Sequence, residues 1–318
     1  MMLFKPFFYF RFLFLAGLML VLTGAGAWFG APAAEKTFVV GFPQDNMANE
    51  WRAAQVWDVQ KELAKHPNIR FIHSDAQGQT AKNIQDLEDM VDQGLDLLII
   101  SPRNRDAMSP VIAALHKRGI PVILLTRQVS GEGYTTFISA DDSAIAHQAA
   151  KYLAGKMGGK GRILVLQGVP TATTAVHRTK GFLAAMKDFP GITIAAIRPA
   201  SYLRANAIKV VDEAIEEGLE FDAIYAQSDG MAAGARLALK AAGRDTKRIP
   251  IIGIDYIPEA RTAIMGGEQI ASFTYPTCGK EGAQAAVRLL RGQSVPRKIE
   301  VPSIMVTPDN VHTIPTNF

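Results

Sequence analysis

The chain has 318 residues, enough for one large domain or two ordinary ones; 48% of them are hydrophobic and 20% are charged. The formal net charge is +4, and two of the positive charges, Lys5 and Arg11, lie in the N-terminal segment. No block of Lys or Arg runs along the chain, which excludes the usual electrostatic signature of nucleic-acid binding or of an anionic membrane surface.

The first 34 residues differ in composition from the rest of the chain. Positive charge comes first, the apolar stretch Phe12–Trp28 follows, and small residues of the form Ala-x-Ala precede Glu35. Because this order is typical of a secretory signal, we expect residues 1–34 to be a signal peptide and the mature chain to be exported. An uncleaved anchor is the alternative, since the apolar stretch is long for a signal.

The chain contains a single cysteine, Cys278, so it forms no internal disulfide even in an oxidising compartment. No histidine lies near Cys278 in sequence. We therefore interpret it as a small buried residue and not as a nucleophile.

From Thr37 onward, short apolar runs alternate with segments of helical periodicity. The predicted strands are 37–42, 69–73, 95–101, 121–126, 134–139, 161–167, 192–198, 223–227, 249–254, 270–274 and 298–306. The predicted helices are 51–66, 81–93, 107–118, 143–157, 176–187, 205–217, 230–242, 258–265 and 279–291. Such alternation predicts parallel sheets with helical crossovers, and two successive runs predict an α/β chain of two doubly wound lobes.

Polar side chains follow most of the predicted strands. Ligands bind beyond the carboxyl ends of the strands in open parallel sheets, so this position selects candidate site residues. They include Gln44, Asn46, Ser101, Arg127, Arg178, Tyr202, Ser228, Asp229 and Asp255. Carboxylates, guanidinium groups and amides match the paired donors and acceptors of hydroxyl groups, and aromatic faces cover sugar C–H faces. The set predicts a polyhydroxyl ligand.

Several of these residues also have a purely structural interpretation. Asp229 precedes a predicted helix and is a candidate N-cap, and Asp255 is a candidate cap or turn former. Arg103 and Arg105 are interpreted as solvated surface charges, and Trp51 fits a core position on an apolar helical stripe.

Six segments, in order, resemble the type I periplasmic binding proteins, the ribose- and galactose-binding group. The resemblance covers the whole mature chain. The segments are Val39–Asn46, Gln93–Pro102 (QGLDLLIISP), Gly119–Arg127 (GIPVILLTR), Ala175–Phe182 (AVHRTKGF), Tyr225–Ala235 (YAQSDGMAAGA) and Ile252–Asp255 (IGID).

The resemblance implies a set of ligand contacts and a role for neighbouring residues. The implied contacts are Asn46, Ser101, Arg127, Arg178, Tyr202, Ser228, Asp255 and Thr274, and Asp229 is implied to order its loop. Gln44 and Trp51 resemble the galactofuranose-binding branch. Two departures stand out: Thr126 replaces the family's Asp, and Ser228 replaces its Asn. Both shorten or neutralise a contact group, which predicts a more positive pocket and a larger, modified or acidic sugar.

The resemblance also implies a type I periplasmic binding protein fold with a multi-strand hinge near 140–142, 272–275 and 302–305. The N-terminal lobe is expected to comprise residues 35–141 and 275–303, and the C-terminal lobe residues 142–274 and 304–318. The implied protein is a monomer in the periplasm that captures a sugar and delivers it to an ABC permease. The alternative partner is a membrane sensor kinase or chemoreceptor.

We expect no enzymatic activity, cofactor or metal, because the chain has no paired cysteines, no His-x-x-x-His, no Gly-x-Ser-x-Gly and no complete phosphate loop. A sugar-responsive repressor of the same fold is excluded by its N-terminus, where a secretion signal replaces the DNA-binding helices.

Overall fold

The structure of the protein is a computed structural model that describes residues 36–317. The predicted signal peptide, residues 1–34, lies outside the described residues. No helix within 36–317 has the length and apolar character needed to cross a membrane.

Strands and helices alternate through the first part of the chain. They are β1 (Phe38–Gln44), α1 (Glu50–Leu63), β2 (Ile69–Asp75), α2 (Thr80–Asp92), β3 (Leu97–Ile100), α3 (Arg105–Lys117), β4 (Val122–Leu125) and β5 (Thr136–Ser139). The second run comprises α4 (Asp142–Lys156), β6 (Lys160–Gln167), α5 (Thr173–Met186), β7 (Gly191–Pro199), α6 (Arg204–Glu216), β8 (Ala223–Ala226), α7 (Asp229–Ala241), β9 (Ile251–Ile252) and α8 (Pro258–Met265). The chain ends with β10 (Ser272–Phe273), α9 (Gly279–Leu290), β11 (Lys298–Glu300) and β12 (Met305–Val306).

Two parallel sheets form the two halves of the fold. The first has the strand order β11-β5-β4-β3-β1-β2 and the second the order β7-β6-β8-β9. The winding reverses between β1 and β3 in one sheet and between β6 and β8 in the other. A crevice opens at such a switch point, beyond the carboxyl ends of the strands, and it is the usual ligand position of doubly wound folds. The predicted fold class is confirmed.

Both faces of each sheet are buried under helices, which explains the nearly continuous apolar strands. In the first sheet, Leu97 and Ile99 face the core beneath α1 and α9, whereas Leu98 and Ile100 face the core beneath α2 and α3. The alternation along β3 follows from the two-residue period of a strand. Helix α9 packs on α1, so the chain returns to the first half after completing the second.

The predicted strand 298–306 is wrong, because two strands in different sheets replace it. β11 pairs with β5 in the first sheet, and β12 pairs antiparallel with β10. Pro302 lies between them and has no backbone N–H to continue a ladder. The backbone N–H of Ile304 instead donates to Oγ1 of Thr274 at 2.8 Å. The chain therefore crosses from one half to the other within this segment.

Candidate ligand-binding site

The carboxyl ends of β1, β3, β4, β6, β8 and β9 meet in one cleft between the two halves. Three adjoining cavities with volumes of about 80, 20 and 10 Å³ occupy it. Tyr202 lines all three, and its hydroxyl group is 3.1 Å from Oγ1 of Thr174. The guanidinium carbons of Arg127 and Arg178 lie 5.8 and 5.9 Å from the centre of its ring. The ring of Tyr202 thus separates spaces that would otherwise be continuous.

Hydrogen bonds across the cleft hold the two halves together in a closed arrangement. Nδ2 of Asn49, at the start of α1, donates to the carbonyl of Tyr202 at 2.8 Å. The backbone N–H of Gln128 donates to Oγ1 of Thr173 at 2.9 Å, and Oγ1 of Thr171 donates to the carbonyl of Arg103 at 3.1 Å. Each of these bonds joins a segment that follows a strand of the first sheet to a segment that follows a strand of the second.

Asp45 lies at the centre of the wall that the first sheet provides. Its Oδ2 is 2.9 Å from an NH1 of Arg127 and 3.5 Å from NH1 of Arg103, and its Oδ1 is 3.7 Å from Nε of Arg52. Burial alone would raise the pKa of Asp45, but the charges of Arg127 and Arg52 outweigh it and hold that pKa below its ordinary value. Asp45 is therefore ionised, and it orients three guanidinium groups.

Arg52 joins this wall to Ser101. Its NH1 donates to Oγ of Ser101 at 2.7 Å and to Oε1 of Gln55 at 3.2 Å, and Oγ of Ser101 is 3.3 Å from Oγ1 of Thr126. Burial, together with the neighbouring charge of Arg127, lowers the pKa of Arg52 to about 10. The guanidinium group is still charged at neutral pH, and much of its charge is met by uncharged oxygens.

Arg178 is the main cation of the opposite wall. Its Nε donates to Oδ1 of Asp142 at 2.8 Å, and its NH1 donates to the carbonyl of Gln227 at 2.5 Å. The ring of Tyr275 lies 4.3 Å from the guanidinium carbon, and the Tyr275 hydroxyl donates to Oδ2 of Asp142 at 3.2 Å. Burial alone would lower the pKa of Arg178, but the Asp142 carboxylate raises it well above its ordinary value.

Asp255 presents its carboxylate to the cleft. No side chain of residues 36–317 binds this carboxylate. The residue is 6% exposed and lines the two larger cavities. Its backbone is held by hydrogen bonds to Phe273 and Asn317, with a strained φ of 117°. Burial raises its pKa well above the ordinary value despite the opposing charge of Arg178. A buried carboxylate without a hydrogen-bond partner destabilises the folded protein. Asp255 is therefore suited to bind a ligand that supplies hydrogen-bond donors.

Most of the predicted ligand contacts line these cavities. They are Asn46, Trp51, Arg127, Arg178, Tyr202 and Asp255. Trp51 also belongs to the core, because it is buried and its Nε1 donates to the carbonyl of Tyr275 at 2.9 Å. The two interpretations of Trp51 are therefore compatible: one part of the ring is packed and another part faces the cleft.

Four predicted contacts lie behind the cavity wall and support it. Gln44 is fully buried and accepts from the backbone N–H of Asp45 at 2.9 Å, and Ser101 holds Arg52. Ser228 is the N-cap of α7 and accepts from the backbone N–H of Met231. Thr274 is bonded to Ile304 at the crossing between the halves. None of the four lines the three cavities.

Asp229 also lies outside the three cavities, and Ser228 is the N-cap of α7 in its place. Its carboxylate accepts from Nε2 of Gln269 at 2.7 Å, from Oγ of Ser272 at 2.5 Å and from the backbone N–H of Tyr256 at 2.7 Å. Burial raises its pKa to about 6. Asp229 fixes the backbone beside Asp255 from behind.

The predicted set of ligand contacts left out several residues of the cleft. These are Asp45, Asn49, Arg52, Arg103, Thr174 and Tyr275. The interpretation of Arg103 as a solvated charge is wrong, because its side chain is only 21% exposed and lies beside Asp45. Tyr275 directly follows the predicted contact Thr274. Side chains of successive residues in an extended chain point to opposite faces. An error of one position in the prediction therefore selects Thr274 in place of the cleft-facing Tyr275.

Asp45 also changes the charge balance that the sequence predicted. Thr126 removes a carboxylate next to Arg127, and the sequence therefore predicts one carboxylate fewer in the pocket. The structure brings the carboxylate of Asp45, from the end of β1, to 2.9 Å from Arg127. The carboxylate of Asp45 thus takes the place of the one lost at position 126, but three guanidinium groups share it.

Gly168 allows Tyr202 to occupy the cleft. A Cβ at position 168 would overlap the end of the Tyr202 ring. We therefore expect Gly168→Ala to displace that ring, disrupt the site and lower ligand affinity about tenfold or more, with little change in stability. Calorimetric titration and thermal unfolding measure both quantities. Gly155→Ala is the matched control, because a Cβ there contacts nothing within 4 Å. Unchanged affinity in Gly168→Ala would contradict a role for the ring position.

No group of three or more His, Cys, Asp or Glu side chains within residues 36–317 has the arrangement of a metal site. The family described as periplasmic binding protein domain matches residues 40–294. The chain belongs to this family. The recognition made on sequence motifs is confirmed.

Individual relatives of this periplasmic binding protein cover most of its length. It is 27% identical over 272 residues to the ribose import binding protein RbsB of Bacillus subtilis, covering 84% of this chain and 87% of RbsB. It is 28% identical over 301 residues to the galactofuranose-binding protein YtfQ of Escherichia coli, covering 92% and 94% of the two chains.

Solved structures resemble the fold over a similar extent. A galactofuranose-binding protein superposes with a TM-score of 0.82 at 27% identity, covering 86% of this chain and 96% of that one. The fructose-binding periplasmic domain of a hybrid two-component system superposes with a TM-score of 0.81 at 30% identity, covering 86% and 92%. These relatives bind sugars by their names, and none of those names describes an enzyme.

Proposed function

We propose that the chain is a periplasmic solute-binding protein that captures a sugar or sugar-like polar ligand between its two halves and delivers it to an ABC permease. The observation that carries this proposal is the carboxylate of Asp255, which is buried in the cleft and has no side-chain partner among residues 36–317. Aromatic rings of Trp51, Tyr202 and Tyr275 surround it. Aromatic faces with a carboxylate and guanidinium groups match the apolar faces and hydroxyl groups of a sugar.

The proposed mechanism is a shift between open and closed arrangements. The chain crosses between the sheets near 140–142, 272–275 and 302–305, and we propose these crossings as the hinge. The proposed N-terminal lobe comprises residues 35–141 and 275–303, and the C-terminal lobe residues 142–274 and 304–318. A ligand that contacts both walls favours the closed state by its differential affinity, and a membrane partner recognises that state.

Export and the absence of catalysis belong to the same proposal. We propose that residues 1–34 direct the chain to the periplasm and are removed there. The three cavities are lined by neither His nor Cys. Their Arg178 and Arg127 are engaged with carboxylates, an arrangement suited to holding a ligand and not to transferring a proton. The protein therefore binds its ligand unchanged.

A sensor partner is the second candidate. It is favoured by the similarity to the fructose-binding periplasmic domain of a hybrid two-component system. Binding chemistry is the same in both cases, and only the surface that meets the membrane protein differs. Reconstitution with a candidate ABC permease distinguishes the two, since a ligand-loaded transport protein stimulates ATP hydrolysis by its permease and a sensor domain does not.

Thermal unfolding against a ligand panel tests the binding function directly. The panel holds pentoses, hexoses, furanose-rich sugars, polyols, sugar acids and sugar phosphates. A ligand at about a hundred times its Kd stabilises the folded state by ~2.7 kcal/mol, which raises Tm by about 5 °C in a chain of this size. Amino acids and peptides serve as negative controls. A shift confined to those controls, or no shift across all sugars and polyols, would overturn the proposal.

A further inference from the structure

The wall that the first sheet provides carries more positive than negative charge. Three guanidinium groups, those of Arg52, Arg103 and Arg127, lie within 3.7 Å of the single carboxylate of Asp45. Arginine stays protonated at all ordinary pH values. One negative charge therefore faces three positive charges, and the cluster has an excess of two positive charges within the described residues.

No other carboxylate of residues 36–317 forms an ion pair with this cluster. Asp142 is engaged with Arg178 at 2.8 Å, and Asp255 has no basic nitrogen within 4.0 Å. Glu50 is exposed at the mouth of the cleft. An uncompensated cation that is removed from water costs several kcal/mol, so the closed cleft favours an incoming anion.

Two buried polar atoms of the cluster have no hydrogen-bond partner among residues 36–317. They are Nε of Arg127 and Oδ1 of Asp45. Arg127 is only 1% exposed, so water does not replace the missing acceptor freely. Nε of Arg127 lacks an acceptor and Oδ1 of Asp45 lacks a donor, so the pair matches a ligand that carries both, as a sugar acid or a sugar phosphate does.

The opposite side of this cavity adds to the positive potential. It is lined by Ser201, Tyr202 and Leu203, and α6 begins directly after them. The N-cap residue Leu203 has no side-chain bond to the free N–H groups of the first turn. A helix N-terminus carries partial positive charge, so it reinforces the attraction that the three arginines exert.

From these observations we propose that the ligand is an anionic polyol, a sugar acid or sugar phosphate, whose anionic group binds to Arg52, Arg103 and Arg127 while its hydroxyl groups bind to Asp255 across the cleft. This inference rests on the proposed sugar-binding function and specifies its substrate class. The cavity of about 10 Å³ beside the arginines is of the order needed to hold one water-sized group, such as a carboxylate or phosphate oxygen. Asn49, Arg52 and Tyr202 line both this cavity and the one that Asp255 lines, so the two spaces adjoin.

Calorimetric titration of the full-length chain with matched pairs of compounds tests the inference. The pairs are galacturonate with galactose, gluconate with glucitol, and glucose 6-phosphate with glucose. We expect the anionic member of at least one pair to bind about tenfold or more tightly than its neutral partner, because hydrogen bonds to charged groups are the stronger ones. The pair that responds distinguishes a carboxylate from a phosphate ester.

The outcomes separate this inference from the function on which it rests. If a neutral member binds as tightly as its anionic partner in every pair that binds, the anionic class is overturned and sugar binding stands. If no compound of the pairs or of the wider panel binds, the sugar-binding function fails and the inference fails with it.

Arg103 gives the sharpest variant, because it is the least buried of the three arginines. We expect Arg103→Gln to weaken binding of the anionic compound about tenfold and binding of its neutral partner by a smaller factor, because only the anion loses a charge–charge attraction. Arg103→Lys keeps the charge and should retain most of the affinity. Arg105→Gln is the matched control, since it removes the same charge two residues away from an exposed position outside the cavities. Equal losses in Arg103→Gln and Arg105→Gln would overturn the assignment.

Discussion

Replacement of Asp255 by asparagine is expected to lower ligand affinity by about 100-fold while the folded protein becomes no less stable. The carboxylate faces the cleft, has no side-chain partner within residues 36–317 and is 6% exposed. Hydrogen bonds from ligand hydroxyls to a charged acceptor contribute about 1.5–3 kcal/mol each, and the variant weakens them. In the free protein the same carboxylate is buried, and burial outweighs the favourable charges of Arg178 and Arg52, so a neutral amide relieves a cost.

The effect of Asp255→Asn on stability depends on pH in a defined direction. Burial raises the pKa of Asp255 in the folded state, with Arg178 opposing. The folded wild-type protein therefore holds a proton that the unfolded chain has lost above about pH 4, and its stability falls as the pH rises from there. The variant lacks this loss. The stability gain of the variant, its free energy of unfolding minus that of the wild type, should thus be larger at pH 8 than at pH 5.

Calorimetric titration gives the affinity, and denaturant unfolding at the two pH values gives the stability. Asp188→Asn is the matched control, because Asp188 is exposed and lies outside the cavities. Wild-type affinity in Asp255→Asn would remove Asp255 from the site. Strong destabilisation at pH 8 would show that its carboxylate has a structural partner.

Replacement of Arg178 by methionine is expected to abolish binding and to cost about 3–5 kcal/mol of stability. Removal of one partner of a buried pair leaves the other as an unpaired charge, and Asp142 is buried at 2.8 Å from Arg178. Burial already raises the pKa of Asp142, and Arg178 is the largest influence that lowers it. In Arg178→Met that pKa rises further, so the stability loss grows as the pH increases above about 4.

A double variant separates the structural and the binding roles of Arg178. Arg178→Met combined with Asp142→Leu removes both charges, and a buried pair replaced by apolar groups of similar volume is often close to neutral in stability. We expect the double variant to recover most of the lost free energy of unfolding and none of the ligand affinity. Recovery of binding would show that Arg178 serves the fold alone, and persistent instability would show that the pair is not its cause.

The local order of elements was determined by the sequence. The apolar run of β3 and the helix 258–265 match the structure closely, because strand and helix periodicity act over short distances. The carboxyl-end rule also located the cleft, since it depends only on the strand order of doubly wound sheets. Five of the six predicted contacts that line the cavities were selected by this rule, and the sixth, Trp51, came from the resemblance.

The partners of those side chains were decided by the tertiary structure. Asp45 compensates for Thr126 although the two are far apart in sequence, and Arg103 turns toward Asp45 and away from solvent. Tyr275, and not Thr274, faces the cleft, because the extended chain turns alternate residues to opposite sides. The sequence likewise predicts one strand over 298–306, whereas the structure divides this segment between two sheets. The sequence by itself determined the elements and the edge at which a ligand binds. The ion-pair partners and the direction in which each side chain points were decided by the packed fold, because they arise from contacts between residues distant along the chain.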